Sequence, residues 1–304
     1  MEIKQLRYFA AVVEAGNVTR AAQLLHIAQP ALSYHILNLE SALKTKLLNR
    51  SVNGVTPTSN GELLYRHAKS LLRQVEDIQV AIEHGNNKPS GKVAIGLPGS
   101  TARILAIPLL RELRNFPGIL LEIVERQSGG LAALVAQGQV DLAITVDVHS
   151  PPGVVIHPLV SEELYAILAQ PPARADATLS LAELAQLPLV LPSEPNIARV
   201  KLDLAFMEAN LRYKLLAEAS TTDLLVRIVR SGDACTVLPW SAVSEEIRLK
   251  QLYAVRIRKP SFKRELSLCI SESVPLSQAA HVVYQLIMDK IPSLVAHGKW
   301  QRRA

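Results

Sequence analysis

Two short stretches carry side chains that could hold a small molecule. Gly96-Leu97-Pro98-Gly99-Ser100-Thr101 and Gln127-Ser128-Gly129-Gly130 each follow an apolar run of strand length and open a helical pattern. Hydroxyls and N–H groups at a helix start have no partner inside the helix, so they favour an anion or a polar group. Ordinary N-capping accounts for Ser and Thr at such places equally well, and both readings of Ser100 and Ser128 stand open; Ser220-Thr221-Thr222 reads as a cap alone. A second set near the N-terminus could read a polyanion. Gln29, Pro30, Ser33, Tyr34, Leu37 and Ser41 share one face of a helical pattern, and Arg50 follows in a short extended run. Short polar side chains suit base edges, Tyr34 adds an apolar face with a hydroxyl, and a cation suits the phosphate backbone or a minor groove. A plain surface helix is the alternative for Tyr34 and His35.

Catalytic motifs are missing. The chain has no Gly-x-Ser-x-Gly, no Gly-x-x-x-x-Gly-Lys-Ser/Thr, no His-Glu-x-x-His and no Gly-x-Gly-x-x-Gly after a strand, which speaks against an enzyme. Cys235 and Cys269 have no Cys or His neighbours at metal-ligand spacing and are expected as buried thiols of a reducing cytosol, with no metal and no cofactor. The first residues lack an export signal, and no stretch approaches the length of a membrane span; a cytoplasmic protein is expected.

The elements that position these residues follow from spacing. Leu6, Phe9, Ala10 and Val13 predict a first helix ended by Gly16-Asn17, and Asn17 caps a short second one over about Val18 to His26. Gln29-Pro30 opens a third, docked by the stripe Leu32, Ile36, Leu39 and Leu43. Two extended pieces around Asn53-Gly54 make a wing. Residues 1–73 hold nine Lys/Arg against four Asp/Glu, a surplus that fits a polyanion partner, although a solvated basic surface would show it too.

From Ser59 to about Glu83, Leu64, Ala68, Leu71, Val75, Ile78 and Ile82 recur in alternating steps of four and three. This narrow seam predicts a helix that pairs with a second copy of itself. Turn-forming residues 85–91 then mark a hinge. Beyond it, strand-length apolar runs alternate with helical patterns, which predicts a mainly parallel, doubly wound sheet. Separate strands are expected at Val154 to Leu159 and Leu164 to Ala169, and helices at 197–210, 222–231, 241–249 and 277–291.

Ala21-Ala22, Leu25, Gln29-Pro30-Ala31-Leu32-Ser33, Leu39-Glu40, Leu43, Leu47-Leu48, Arg50 and Thr56-Pro57-Thr58 with Gly61 resemble the N-terminal signature of LysR-type transcription regulators. The resemblance implies a winged helix-turn-helix over 1–58, a dimerisation helix over 59–84 and a two-lobed α/β effector domain over 92–304, similar to periplasmic binding proteins. Lobe I would take 92–162 and 265–304, and lobe II 163–264. It makes Gln29, Pro30, Ser33, Tyr34 and Arg50 DNA contacts, and by family position Ser100, Thr101, Ser128, Asn196 and Ile197 effector contacts. It implies promoter DNA, RNA polymerase, a small anionic or polar metabolite and a homodimer or homotetramer as partners. Many relatives have Gln or Arg in place of Tyr34 and a basic residue near Asn53, so the operator sequence does not carry over. Gly54-Val55-Thr56-Pro57-Thr58 and Leu191-Pro192-Ser193 look like the nitrogen-assimilation branch.

Overall fold

The computed structural model describes residues 1–51, 54–84, 89–149, 152–174, 177–258, 262–298 and 300. Hinge residues 85–88, the wing residues Val52 and Asn53 and the last four residues lie outside that set. The chain divides into two compact units, one of Met1–Gly91 with Gln137–Gln139 and one of Lys92–Ala136 with Val140–Ala304.

The first unit is α1 (Ile3–Ala15), α2 (Val18–Leu24), α3 (Gln29–Leu43), β1 (Leu48–Ser51), β2 (Gly54–Pro57) and α4 (Ser59–His84). Gly16 ends α1 at φ +63°, and Asn17 caps α2 by accepting from the Arg20 N–H at 3.1 Å. The second helix stops two residues before its expected end, where His26 takes φ +53°. Phe9, Val12, Ala21, Leu32, Ile36 and Leu39 form the core. Leu43, placed by periodicity on the same stripe, is exposed, because Lys44 in the left-handed region ends α3 just beyond it. Glu40 Oε1 accepts from the N–H groups of Leu47 and Leu48 at 2.7 and 3.2 Å and so anchors the antiparallel β1–β2 wing.

At the start of α4, Thr58 Oγ1 accepts from the Gly61 N–H at 3.0 Å and donates to the Lys46 carbonyl at 2.8 Å. Helix and wing approach so closely that a β-carbon on Gly61 would lie 2.0 Å from the Leu47 carbonyl oxygen. Both partners are backbone, so neither can swing aside. Gly61→Ala is expected to destabilise this unit by about 1–3 kcal/mol or more, read as a lowered midpoint in urea; an unchanged midpoint would show that the wing yields freely.

The second unit is β3 (Gly91–Leu97), α5 (Gly99–Leu113), β4 (Ile119–Glu125), α6 (Ser128–Ala136), β5 (Leu142–Val146), β6 (Val154–Leu168), β7 (Thr178–Ser180), α7 (Leu181–Ala185), β8 (Pro188–Pro192), α8 (Ile197–Glu208), β9 (Lys214–Ala219), α9 (Thr222–Ser231), β10 (Thr236–Pro239), α10 (Trp240–Arg248), β11 (Tyr253–Arg258), β12 (Lys263–Ser271) and α11 (Gln278–Ala296). Strands β4, β3, β5, β12, β6, β11 and β7 lie side by side in that order, with β10 also on β6. β3–β5, β7–β11 and β8–β9 are parallel. The sheet is nevertheless mixed rather than mainly parallel, because β12 runs antiparallel to both β5 and β6, and β6 antiparallel to β10 and β11.

Where two strands were expected at 154–159 and 164–169, β6 is continuous. One lobe gathers Ile95, Leu105, Leu142, Leu268 and Val283 around β3, β5 and α11. The other gathers Leu189, Leu202, Phe206 and Val237, with a second cluster at Ile167, Val229 and Val243. Strand β6 runs through both, with Val160 in the first core and Leu164 in the second, and β12 lies beside it, with Leu266 in the first core and Phe262, the residue just before it, in the second. The short β7, α7 and the strand β11 had no strong pattern in the sequence.

Candidate nucleic-acid interface and ligand cavity

In the first unit α3 buries Leu32, Ile36 and Leu39 and leaves the opposite face open. Gln29, Pro30, Tyr34, Leu37 and Ser41 are exposed there and Ser33 is half-buried. Gln29 Nε2 donates to Ser33 Oγ at 2.9 Å, which orders the N-terminal turn. Tyr34 is 64% exposed, a large value for an aromatic side chain. His35 stands edge-on to it at 6.2 Å between ring centres and to Tyr8 of α1 at 5.0 Å, so Tyr34 is buttressed by the helix beneath. Arg50 is exposed on β1. Thus the candidate DNA residues fall on one open helix face and one wing strand.

The seam of α4 divides. Ala68 is fully buried and Leu64 packs on the core of its own unit. Glu14 of α1 holds this half of the helix, accepting from Tyr65 Oη at 3.0 Å and Lys69 Nζ at 2.8 Å. Val75 is half-buried, whereas Leu71, Ile78 and Ile82 are 44%, 58% and 75% exposed. Leu64 and Ala68 therefore serve the head itself.

In the second unit a cavity of about 280 Å³ is lined by Ser100, Ser128, Asn196 and Ile197 among others. Four helices start at it: α5, α6, α8 and α9. Thr101 is not on its wall; it is fully buried with Oγ1 unpartnered. The hydroxyls differ in their engagements. Ser128 Oγ accepts from the Val146 N–H at 2.6 Å and lies 3.4 Å from the Val146 carbonyl, so it ties α6 to β5. Asn196 Oδ1 caps α8 by accepting from Ala198 and Arg199 N–H at 3.0 and 3.4 Å. Ser100 Oγ accepts from Arg264 Nη2 at 2.8 Å.

Arg264, on β12, also lines the cavity. It is 7% exposed and sits directly across from Glu162 of β6, which is 1% exposed. Arg264 Nε donates to Glu162 Oε1 at 2.7 Å, Nη2 donates to the same oxygen, and Ser241 Oγ of α10 donates to it at 3.1 Å. On the outer side Arg103 of α5 pairs with Asp223 of α9 at 3.0 Å and with the nearly buried Glu246 of α10. At Gly99 a β-carbon would lie 2.8 Å from both Glu125 Oε1 and Thr222 Oγ1, side-chain atoms that would have to move aside. Burial pushes the Cys235 thiol up to about 12 and the Cys269 thiol upward as well, so both stay protonated at neutral pH. Among the described residues no cluster of metal donors occurs, and no helix is long and apolar enough to cross a membrane.

Residues 3–62 match the model of the bacterial regulatory helix-turn-helix protein, lysR family, and residues 86–292 that of the LysR substrate binding domain. The chain belongs to the LysR family. It is a LysR-type DNA-binding transcription regulator, with its helix-turn-helix in the first unit and its effector-binding domain in the second. It is 36% identical over 306 residues to the nitrogen assimilation regulatory protein nac of Escherichia coli, covering 99% of each chain, and 34% identical to that of Klebsiella aerogenes, covering 97% of each. The structure of ArgP from Mycobacterium tuberculosis shares the fold, with a TM-score of 0.74 at 19% identity over 98% of each chain. The two nac relatives are regulatory proteins by name.

The sequence reading missed the cavity's charged wall altogether. Arg264 alternates with Leu266 and Leu268, and Glu162 with Val160 and Leu164, so each charge stands at an inward-facing strand position. That parity was the available signal.

Proposed function

We propose that this regulator works in the cytoplasm, without catalytic activity, as a homodimer or dimer of dimers. In this reading it docks α3 in the major groove of promoter DNA, and a small anionic or polar metabolite bound between the lobes alters its contact with RNA polymerase. The open face of α3, with an exposed buttressed Tyr34 beside an exposed Arg50 wing, carries the DNA assignment: Gln29, Pro30, Ser33 and Tyr34 at base edges, Arg50 on phosphate or in a minor groove. Leu71, Val75, Ile78 and Ile82 pair the subunits. Ser100, Ser128, Asn196 and Ile197 are the effector residues of the same proposal, with Thr101 behind them. A head to residue 58, a pairing helix over 59–84 and an effector domain from 92, with lobe I of 92–162 and 265–304 around lobe II of 163–264, completes it. The likeness to the two nac proteins supports target genes of nitrogen metabolism.

Gel retardation on the DNA upstream of its own gene tests the reading. Arg50→Ala is expected to weaken all sequences alike and to reduce the salt slope by about one unit, while Ser33→Ala and Tyr34→Ala cost about 1–3 kcal/mol chiefly on the true operator. Equal losses on operator and random DNA for all three would remove the base-reading roles.

A further inference from the structure

We propose that Tyr34 and Leu37 form an apolar ridge on α3 that recognises the 5-methyl group of thymine, so that operator choice depends on where thymines stand. This rests on the reading of α3 as the helix in the major groove. Successive residues of an α-helix are turned by about 100°, so Leu37 stands one turn beyond both Ser33 and Tyr34. It therefore lies in the middle of the face that Gln29, Ser33, Tyr34 and Ser41 turn away from the buried Leu32, Ile36 and Leu39. Leu37 is 50% exposed and Tyr34 64%. A single leucine scattered on a protein surface is ordinary. These two are neighbours at i and i+3, at the centre of the open face.

The rest of the helix lacks the usual readers of a G·C pair. Guanine is most often read by a bidentate Arg or Lys, and cytosine by a carboxylate. α3 holds no Lys, Arg or Asp. Its one carboxylate, Glu40, is turned to the wing, where it accepts from the Leu47 and Leu48 N–H groups. Of its two amides, Gln29 donates Nε2 to Ser33 Oγ at 2.9 Å and Asn38 is half-buried. What α3 offers at the centre of its open face is carbon surface, and the thymine methyl is the one apolar group on the major-groove edges of the base pairs. The ridge also has a firm base. Tyr8, 8% exposed, meets His35 edge-on at 5.0 Å between ring centres, and His35 meets Tyr34 at 6.2 Å. A ring already held in place loses less conformational entropy on contact than a free one.

The test uses full-length protein and the segment upstream of its own gene that it protects from nuclease, made once with thymine and once with deoxyuridine, which lacks only the 5-methyl group. Wild-type protein is expected to bind the uracil duplex about tenfold more weakly, since each methyl covered is worth about fourfold in affinity. Leu37→Ala, a change at an exposed position, should lose about fourfold on thymine DNA and match wild type on uracil DNA to within about twofold. On random DNA it should keep the wild-type salt slope, because no phosphate contact is removed. Tyr34→Phe should retain the thymine preference that Tyr34→Ala loses, because the ring and not the hydroxyl meets the methyl. Equal wild-type affinity for the two duplexes overturns the ridge, and so does a Leu37→Ala protein that keeps the full thymine preference. Where Ser33→Ala still lowers operator affinity in either case, α3 remains the reading helix. If Ser33→Ala and Leu37→Ala both leave operator binding at wild-type strength, the ridge and the groove assignment fall together.

Discussion

Arg264→Leu is expected to lower the melting temperature of the second unit by roughly 10 °C, the equivalent of about 3–5 kcal/mol. The substitution leaves the Glu162 carboxylate at 1% exposure with only Ser241 to solvate it, and an uncompensated buried charge is among the largest single penalties in protein interiors. Glu162→Leu combined with Arg264→Leu should recover most of that loss, because an apolar pair at directly opposed strand positions replaces a pair whose desolvation offsets its attraction. Calorimetry on the single and double variants separates two cases. A double variant as unstable as the single one would mean that shape, and not charge, sets the penalty.

Leu71→Asp is expected to dissociate the dimer and to reduce operator affinity by about a hundredfold or more. Leu71, Ile78 and Ile82 are apolar and open on a helix whose other half is already held by Glu14 of its own head, so a second copy is what this stretch can bury them against. Two facing carboxylates in such a seam cost several kcal/mol if both stay charged. Loss of the second head also removes the effective concentration that joins two half-sites, worth 10² to 10⁴ in affinity. Sedimentation and gel retardation read the two effects independently. Leu71→Asp protein that remains dimeric with wild-type operator affinity would place the pairing elsewhere.

Local physics wrote the helical head into the sequence. Asn17, Gly16 and Pro30 act through their immediate neighbours, and the stripe of α3 has a period that a reader can count. The same counting placed Leu64 and Ala68 in a dimer seam when they pack on the head, because periodicity marks which residues face something apolar and not whose. In the second unit the alternation of strands and helices was visible, but the antiparallel β12 was not, since strand direction depends on partners a hundred residues away. Separate strands were expected at 154–159 and 164–169, although Glu162, between them, continues the inward parity of Val160 and Leu164 and is neutralised by a residue on another strand. For the cavity, the glycine turns pointed to Ser100 and Ser128 by local chemistry. Whether each hydroxyl was free depended on Arg264 and on the Val146 backbone, contacts made only by folding.

The paired strands β6 and β12 also set an order on assembly. Glu162 and Arg264 are 102 positions apart in the chain, and joining them directly from the unfolded state closes a long loop before most of its rewards exist. The inner lobe supplies a shorter route. Leu164 N–H donates to the Phe262 carbonyl at 2.9 Å, so a folded segment between those residues delivers both ends side by side, and the ladder from Glu163–Lys263 to Val154–Ser271 can then zip outward one neighbour at a time. In folding terms the second lobe is an insertion whose ends meet, nested inside the first, and the buried ion pair lies just outside the point where the zipper starts.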